Sequence, residues 1–206
     1  MTGSEHQGRC DAIALSLFNH YTLRRDGALC RFMELEVYLH DTDYPDPFCH
    51  THDDQLNRET LYWHYSGVDV TMGKKPIHYC GVLVRGIEQV EAGTFVFGPG
   101  KVAYDRKEGG KAKRELVLEP QETSNGFGFD KRGEAKVHTL PRFNLSGTTF
   151  EDIYGKNPRF ALETLQMPLR YLRIPTHWIK RETETPDRGY LTRIFQQLDP
   201  DSVGQD

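Results

Sequence analysis

The sequence contains no apolar run near the ~20 residues a bilayer span requires, so no membrane partner is expected. Its opening stretch, MTGSEHQGRCDA, is polar and lacks the apolar centre of an export signal, which predicts an intracellular location. Cysteine is sparse. Cys10, Cys30, Cys49 and Cys80 form neither a CxxC pair nor a dense framework, and 206 residues supply core enough to fold without staples. Free, buried thiols are the expected state. An excess of positive charge is also lacking. At a net charge of −4 and a pI near 6.1, binding to phosphates would have to come from a local basic patch. Internal repeats and linker-like stretches are absent too, which predicts a single domain over residues 1–206.

What is present reads as an alternation of short elements. Cys10 to Tyr21 places Ile13, Leu17 and Phe18 near helical spacing. Arg24-Arg25-Asp26-Gly27 has the composition of a hairpin turn. Ala28 to Leu39 then alternates as a strand. Leu29, Met33, Leu35, Val37 and Leu39 share one face, while Cys30, Phe32, Glu34, Glu36 and Tyr38 share the other. Asp41 to Asn57 is a polar loop, Leu61 to Thr71 one or two strands around Gly67, and Tyr79 to Ile87 a strand near the middle of the core. Gly98-Pro99-Gly100-Lys101 breaks structure and opens a helix. Lys101 to Arg114, continuing to Glu134-Ala135-Lys136, is charged, glycine-rich and expected to be mobile. Met167 to Ile174 is a final strand, and Leu191 to Leu198 carries a short helical pattern. Together these predict one α+β domain on an antiparallel or mixed sheet.

Several side chains invite chemistry. Glu34, Glu36 and Tyr38 project from one face of a strand whose other face is apolar, and carboxylates there are costly unless paired or used. Arg85 lies among Val82, Leu83, Val84 and Ile87, so it calls for a carboxylate partner, with Glu34, Glu36 and Asp69 as candidates. The loop DPFCHTHDD presents His50 and His52, which with His40 suggest a metal site, but no third ligand is set by spacing and none is predicted. Tyr62, Trp63 and Tyr65 serve either the core or a platform on which a base stacks.

Taken in order, GALCRFMELEVYL, DYPDPFCH, CGVLVRGIEQVEAG, GPGK and MPLRYLR resemble segments of the alkyladenine (3-methyladenine) DNA glycosylases. In that family a strand reading roughly GRIVETEAY leads to a histidine-bearing loop. A strand ending LIRALEP, a GPAKL helix start and a late PLRF-like strand follow. The likeness spans roughly Ala14 to Ile174. It implies a single compact α+β domain with a curved mixed or antiparallel sheet flanked by helices. It also implies a monomer that flips a damaged purine from DNA and hydrolyses its N-glycosidic bond with water, using no metal, no other cofactor and no covalent intermediate.

The family's water-activating glutamate falls on Glu36, and the arginine that helps hold the water falls on Arg85. The tyrosine that stacks on the flipped base falls on Tyr38, and the loop histidine that contacts base and backbone falls on His50. Two positions depart. Asp69 stands nearest the family's guanine-excluding asparagine. The aromatic stretch carrying its duplex wedge is shortened here to LYWHYSG, leaving Tyr65 as a candidate second stacking wall. Three activities follow from these residues: excision of damaged purines from DNA, hydrolysis of a nucleoside, nucleotide or single-stranded substrate, or binding of a base without hydrolysis. The basic segment Lys101 to Arg114, with Arg142, is the candidate phosphate contact.

Overall fold

The computed structural model of the protein describes residues 2–107, 110–121, 135–142 and 158–175. Thr2 caps the first helix, α1 (Gly3–His20). Its hydroxyl accepts from the Glu5 N–H while the Glu5 carboxylate accepts from the Thr2 N–H. The helix thus starts about two turns before the apolar periodicity of Cys10–Tyr21, because its first turns carry a cap in place of a greasy stripe. Cys10, Ala14, Leu17 and Phe18 face the core. Strand β1 (Tyr21–Arg25) and strand β2 (Ala28–His40) meet at Asp26-Gly27, whose φ angles of 50° and 82° are those of a tight hairpin turn.

The remaining elements are β3 (Arg58–His64), β4 (Gly67–Met72), β5 (Tyr79–Gln89), β6 (Thr94–Phe97), α2 (Pro99–Ala103), β7 (Tyr104–Lys107), β8 (Gly110–Lys113), β9 (Leu116–Pro120), β10 (Ala135–Leu140), α3 (Pro158–Gln166) and β11 (Arg170–Pro175). One curled sheet runs β10-β11-β2-β5-β4-β3, with β1 also on β2, β9 on β1 and β6 on β5. Every pairing among the described strands is antiparallel, so the expected α+β class holds and the sheet is not mixed. No helix among the described residues is long and apolar enough to cross a membrane.

Two sequence expectations need correction. The supposedly mobile segment after Lys101 instead finishes α2 and forms the β7–β8 ribbon, and Ala135-Lys136 opens β10 against β11. The turn of the aromatic hairpin lies at Tyr65-Ser66, between β3 and β4, ahead of Gly67. The pattern at Leu191–Leu198 lies outside the described residues.

One face of the sheet is the apolar core. Leu35, Val37 and Leu39 of β2, Val82 and Val84 of β5, and Val68 and Val70 of β4 are all buried there with α1. The opposite face of β2, predicted to carry Glu34, Glu36 and Tyr38, does not face solvent. The loop from Asp41 to Asn57 covers this side of the molecule and buries Tyr44, Asp46, Phe48, Cys49 and Gln55. All four cysteines are free and buried. Burial pushes the Cys10 thiol up to about 12 and Cys30 to about 11, so neither is poised for chemistry.

Candidate functional site: a buried charge cluster beside a histidine pair

Directly paired residues in adjacent strands point to the same side of a sheet. The register aligns Arg170 with Glu36, Glu36 with Leu83, Leu83 with Asp69, and Asp69 with Tyr62. This row crosses five strands, β11, β2, β5, β4 and β3, and is polar at every member but Leu83.

At its centre Glu34 and Glu36 are fully buried, and Arg85 and Arg170 nearly so. Arg85 donates from Nε to Glu34 at 2.9 Å and from a terminal nitrogen to Glu36 at 3.4 Å. Arg170 Nε donates to the same Glu34 oxygen at 2.6 Å. Among the described residues two carboxylates face two guanidiniums, a pairing of opposite charges that offsets the cost of holding them below the surface. The predicted need of Arg85 for a carboxylate is met by Glu34 and Glu36, and not by Asp69.

Glu36 also accepts from the Tyr38 hydroxyl at 3.0 Å. Burial, with the Glu36 charge next in effect, holds the Tyr38 phenol well above its ordinary pKa, so it stays a donor to that carboxylate. Tyr38 is half-buried, and the Arg142 guanidinium lies 4.5 Å from its ring centroid. Arg142 is itself buried in a two-pronged pair with Asp46 at 2.6 and 3.2 Å. Burial opposes its charge most strongly, yet Asp46, together with Tyr38 and Glu36, outweighs that and raises the guanidinium's pKa. This corrects the expectation that Arg142 contacts phosphate: it is a pillar beneath Tyr38.

Further along the row, Asp69 accepts from Gln55 Nε2 through one oxygen and meets His64 Nε2 with the other, each at 3.0 Å. Gly81 makes this possible. A Cβ there would sit 2.3 Å from both the Asp69 carboxylate and the Gln55 amide. His50 is exposed on the covering loop, its ring edge-on to His64 at 4.9 Å and to Tyr62 at 6.1 Å. His52 stacks on Tyr62 at 4.6 Å. Burial, and then His64, lower the pKa of His50.

Of the six residues named from sequence, the structure joins Glu36, Arg85 and Tyr38 by hydrogen bonds. It places Asp69 and His50 together beside them, around His64. Tyr65 stands apart at the tip of the β3–β4 hairpin, 85% exposed, with Lys111 Nζ 4.2 Å from its ring centroid. Next to that tip lies a surface depression of about 510 Å3 lined by Arg25, Lys101, Tyr104, Lys111 and Arg114 among others.

Sequence reasoning missed Arg170, Gln55 and His64 as members of the site. Arg170 alternates with apolar neighbours in MPLRYLR, as Arg85 does in its own strand. His64 shares a strand face with Tyr62, so both signals were readable.

No family model matches the chain, and no solved structure matches it. Uncharacterized protein L759 of Acanthamoeba polyphaga mimivirus is 29% identical over 205 residues, covering 83% of this chain and 88% of the viral protein.

Proposed function

We propose that the chain is an N-glycosidase that removes alkylated or otherwise damaged purines from DNA, with Glu36 activating the hydrolytic water. The observation that carries this reading is the setting of Glu36: a fully buried carboxylate between a phenol donor at 3.0 Å and a guanidinium at 3.4 Å. Cleavage of a glycosidic bond builds positive charge on the sugar. A fixed carboxylate in a site shielded from water stabilises that charge while taking a proton from the attacking water. The oxygen of that water bonds to the anomeric carbon, and the electron pair of the broken C–N bond leaves with the base. A cationic alkylated purine accepts that pair readily. Arg85 faces and orients Glu36, and Tyr38 offers the base a ring face.

The hairpin tip supports a nucleic-acid substrate. An exposed Tyr65 with Lys111 over its ring, next to a depression lined by Lys101, combines a ring able to enter a base stack with cations for the flanking phosphates, despite the acidic net charge. That net charge of −4 favours a second reading, hydrolysis of a free nucleoside or nucleotide by the same carboxylate.

The test is release of free base from alkylated duplex, from single strands and from a nucleoside panel. Release from duplex that Glu36→Gln abolishes is the expected result. Release from nucleosides alone selects the second reading, and no release from any substrate by folded wild type refutes both.

A further inference from the structure

We propose that His50, His64 and Asp69 form a binding site for one divalent transition-metal ion of the zinc class. The site does not depend on the glycosidase reading. One ligand atom from each residue lies within 4.8 Å of the other two. These residues come from the covering loop, the end of β3 and the middle of β4, so the convergence is a product of the fold.

Bonds of about 2.0–2.1 Å around zinc put neighbouring ligand atoms roughly 3.4 Å apart. His64 Nε2 and Asp69 Oδ1 already stand at 3.0 Å, the separation left when a shared proton occupies the place of an ion. Only His50, on an exposed loop, needs to close in, by side-chain rotation.

The support around the ligands is built. Gln55 is buried, and its amide nitrogen holds the outer oxygen of Asp69 at 3.0 Å, aiming the inner one at His64. Gln55 is fixed in turn through its own carbonyl oxygen, which accepts from the Cys49 thiol at 3.6 Å and the His52 N–H at 3.2 Å. Tyr62 stacks on the His64 ring at 5.7 Å and sets its plane. Oriented ligands with this kind of second layer are the mark of a metal site as distinct from an accidental pair.

The donor set selects the ion. Two imidazoles and one carboxylate suit Zn2+, Co2+, Ni2+ or Fe2+, whereas Mg2+ and Ca2+ prefer oxygen throughout. Three protein ligands with one exposed leave a coordination position open to water or to an incoming group. A histidine ligates through its in-plane lone pair, so metal binding leaves the stack of Tyr62 on the His64 ring in place.

The experiment titrates metal-free, full-length protein at pH 7.5 with ZnCl2, CoCl2 and MgCl2, by calorimetry and by the visible absorption of bound Co2+. Expected are one Zn2+ per chain at micromolar or tighter Kd, a Co2+ ligand-field band, and no Mg2+ binding. His50→Ala, His64→Ala and Asp69→Asn should each weaken Zn2+ at least tenfold. His20→Ala, at an exposed histidine on the end of α1, should leave the Kd unchanged. His50→Ala changes an exposed side chain, so it reads the site even where a sheet variant misfolds; circular dichroism checks each fold.

Wild-type protein that takes up no Zn2+ below millimolar concentration overturns the site. So does binding that survives His50→Ala, or binding that His20→Ala removes. Glu36→Gln should abolish base release yet bind Zn2+ normally. Failure of the metal site and failure of the glycosidase are therefore separate results.

Discussion

Glu34 and Glu36 are two residues apart, share a strand face and are equally buried, yet they do different work. Glu34 receives both Arg85 and Arg170 on a single oxygen, whereas Glu36 looks toward Tyr38. The first neutralises the interior, and the second keeps a polarised link to a half-buried ring. Glu34→Ala should therefore cost stability, roughly 3–5 kcal/mol in urea unfolding, since it deprives two buried guanidiniums of the acceptor they share. Glu36→Gln preserves shape but removes one of the negative charges that face the buried guanidiniums. It should lower the unfolding midpoint less than Glu34→Ala does, because Arg85 keeps Glu34 as a partner, and lower the rate of base release by about 10²–10⁴, the usual worth of a positioned base. If Glu36→Gln unfolds the protein while Glu34→Ala does not, the two roles are reversed.

Elements place these groups through close approach. Strand β5 runs down the middle of the site, and its Gly81 leaves the space in which Asp69 and Gln55 meet. Gly81→Ala should cost about 1–3 kcal/mol by overpacking and weaken Zn2+ binding in parallel, measured by thermal unfolding and titration on the same sample. At the other end of the sheet, the β3–β4 turn lifts Tyr65 out of the protein. Tyr65→Ala should leave Tm unchanged and weaken duplex binding by the loss of a stacked ring, roughly 1–3 kcal/mol. Comparable affinity for DNA in the variant and the wild type would remove the hairpin from the proposed interface.

Over the whole molecule, the packing of α1 against the covering loop builds in a pH dependence. His6 is buried and stacked on Tyr44 with ring centroids 4.0 Å apart, and burial depresses its pKa from 6.5 to about 4. Between those values the unfolded chain holds a proton that the folded chain refuses. Protonation thus favours unfolding: the stability is full above pH 6.5, declines as the pH falls, and levels off below about pH 4. The gap corresponds to roughly 3 kcal/mol. Subtracting the pH profile of His6→Phe from that of wild type isolates this group, and a flat difference between pH 4 and 7 would show that His6 does not titrate with folding.

The same scale decides how much was legible in advance. Strand β2 was readable because alternation is local, and the Asp26-Gly27 turn because its backbone angles restrict composition. The short strands β6, β9 and β10 were not read, and the β7–β8 segment was taken for a charged loop. A few residues on a sheet edge carry too little periodicity to separate a strand from a loop. Glu36, Tyr38 and Arg85 were identified by the cost of placing polar groups among apolar neighbours, which any sequence displays. Arg170 and His64 displayed comparable local signals that went unread, whereas Gln55, in a polar loop, carries none until its partner Asp69 is known.

Sequence alone thus determined which side chains had to be reconciled with an apolar interior: two carboxylates on β2 and an arginine on β5, each next to residues that water excludes. Local alternation and desolvation cost are properties of consecutive residues. Tertiary structure decided who answers them. The sheet register brought Arg170 to Glu34 from 136 positions away, gathered His50, His64 and Asp69 within 4.8 Å, and turned Arg142 from a surface cation into the support of Tyr38. Strand pairing across long separations is chosen by the packing of the whole core, which no single stretch of chain contains.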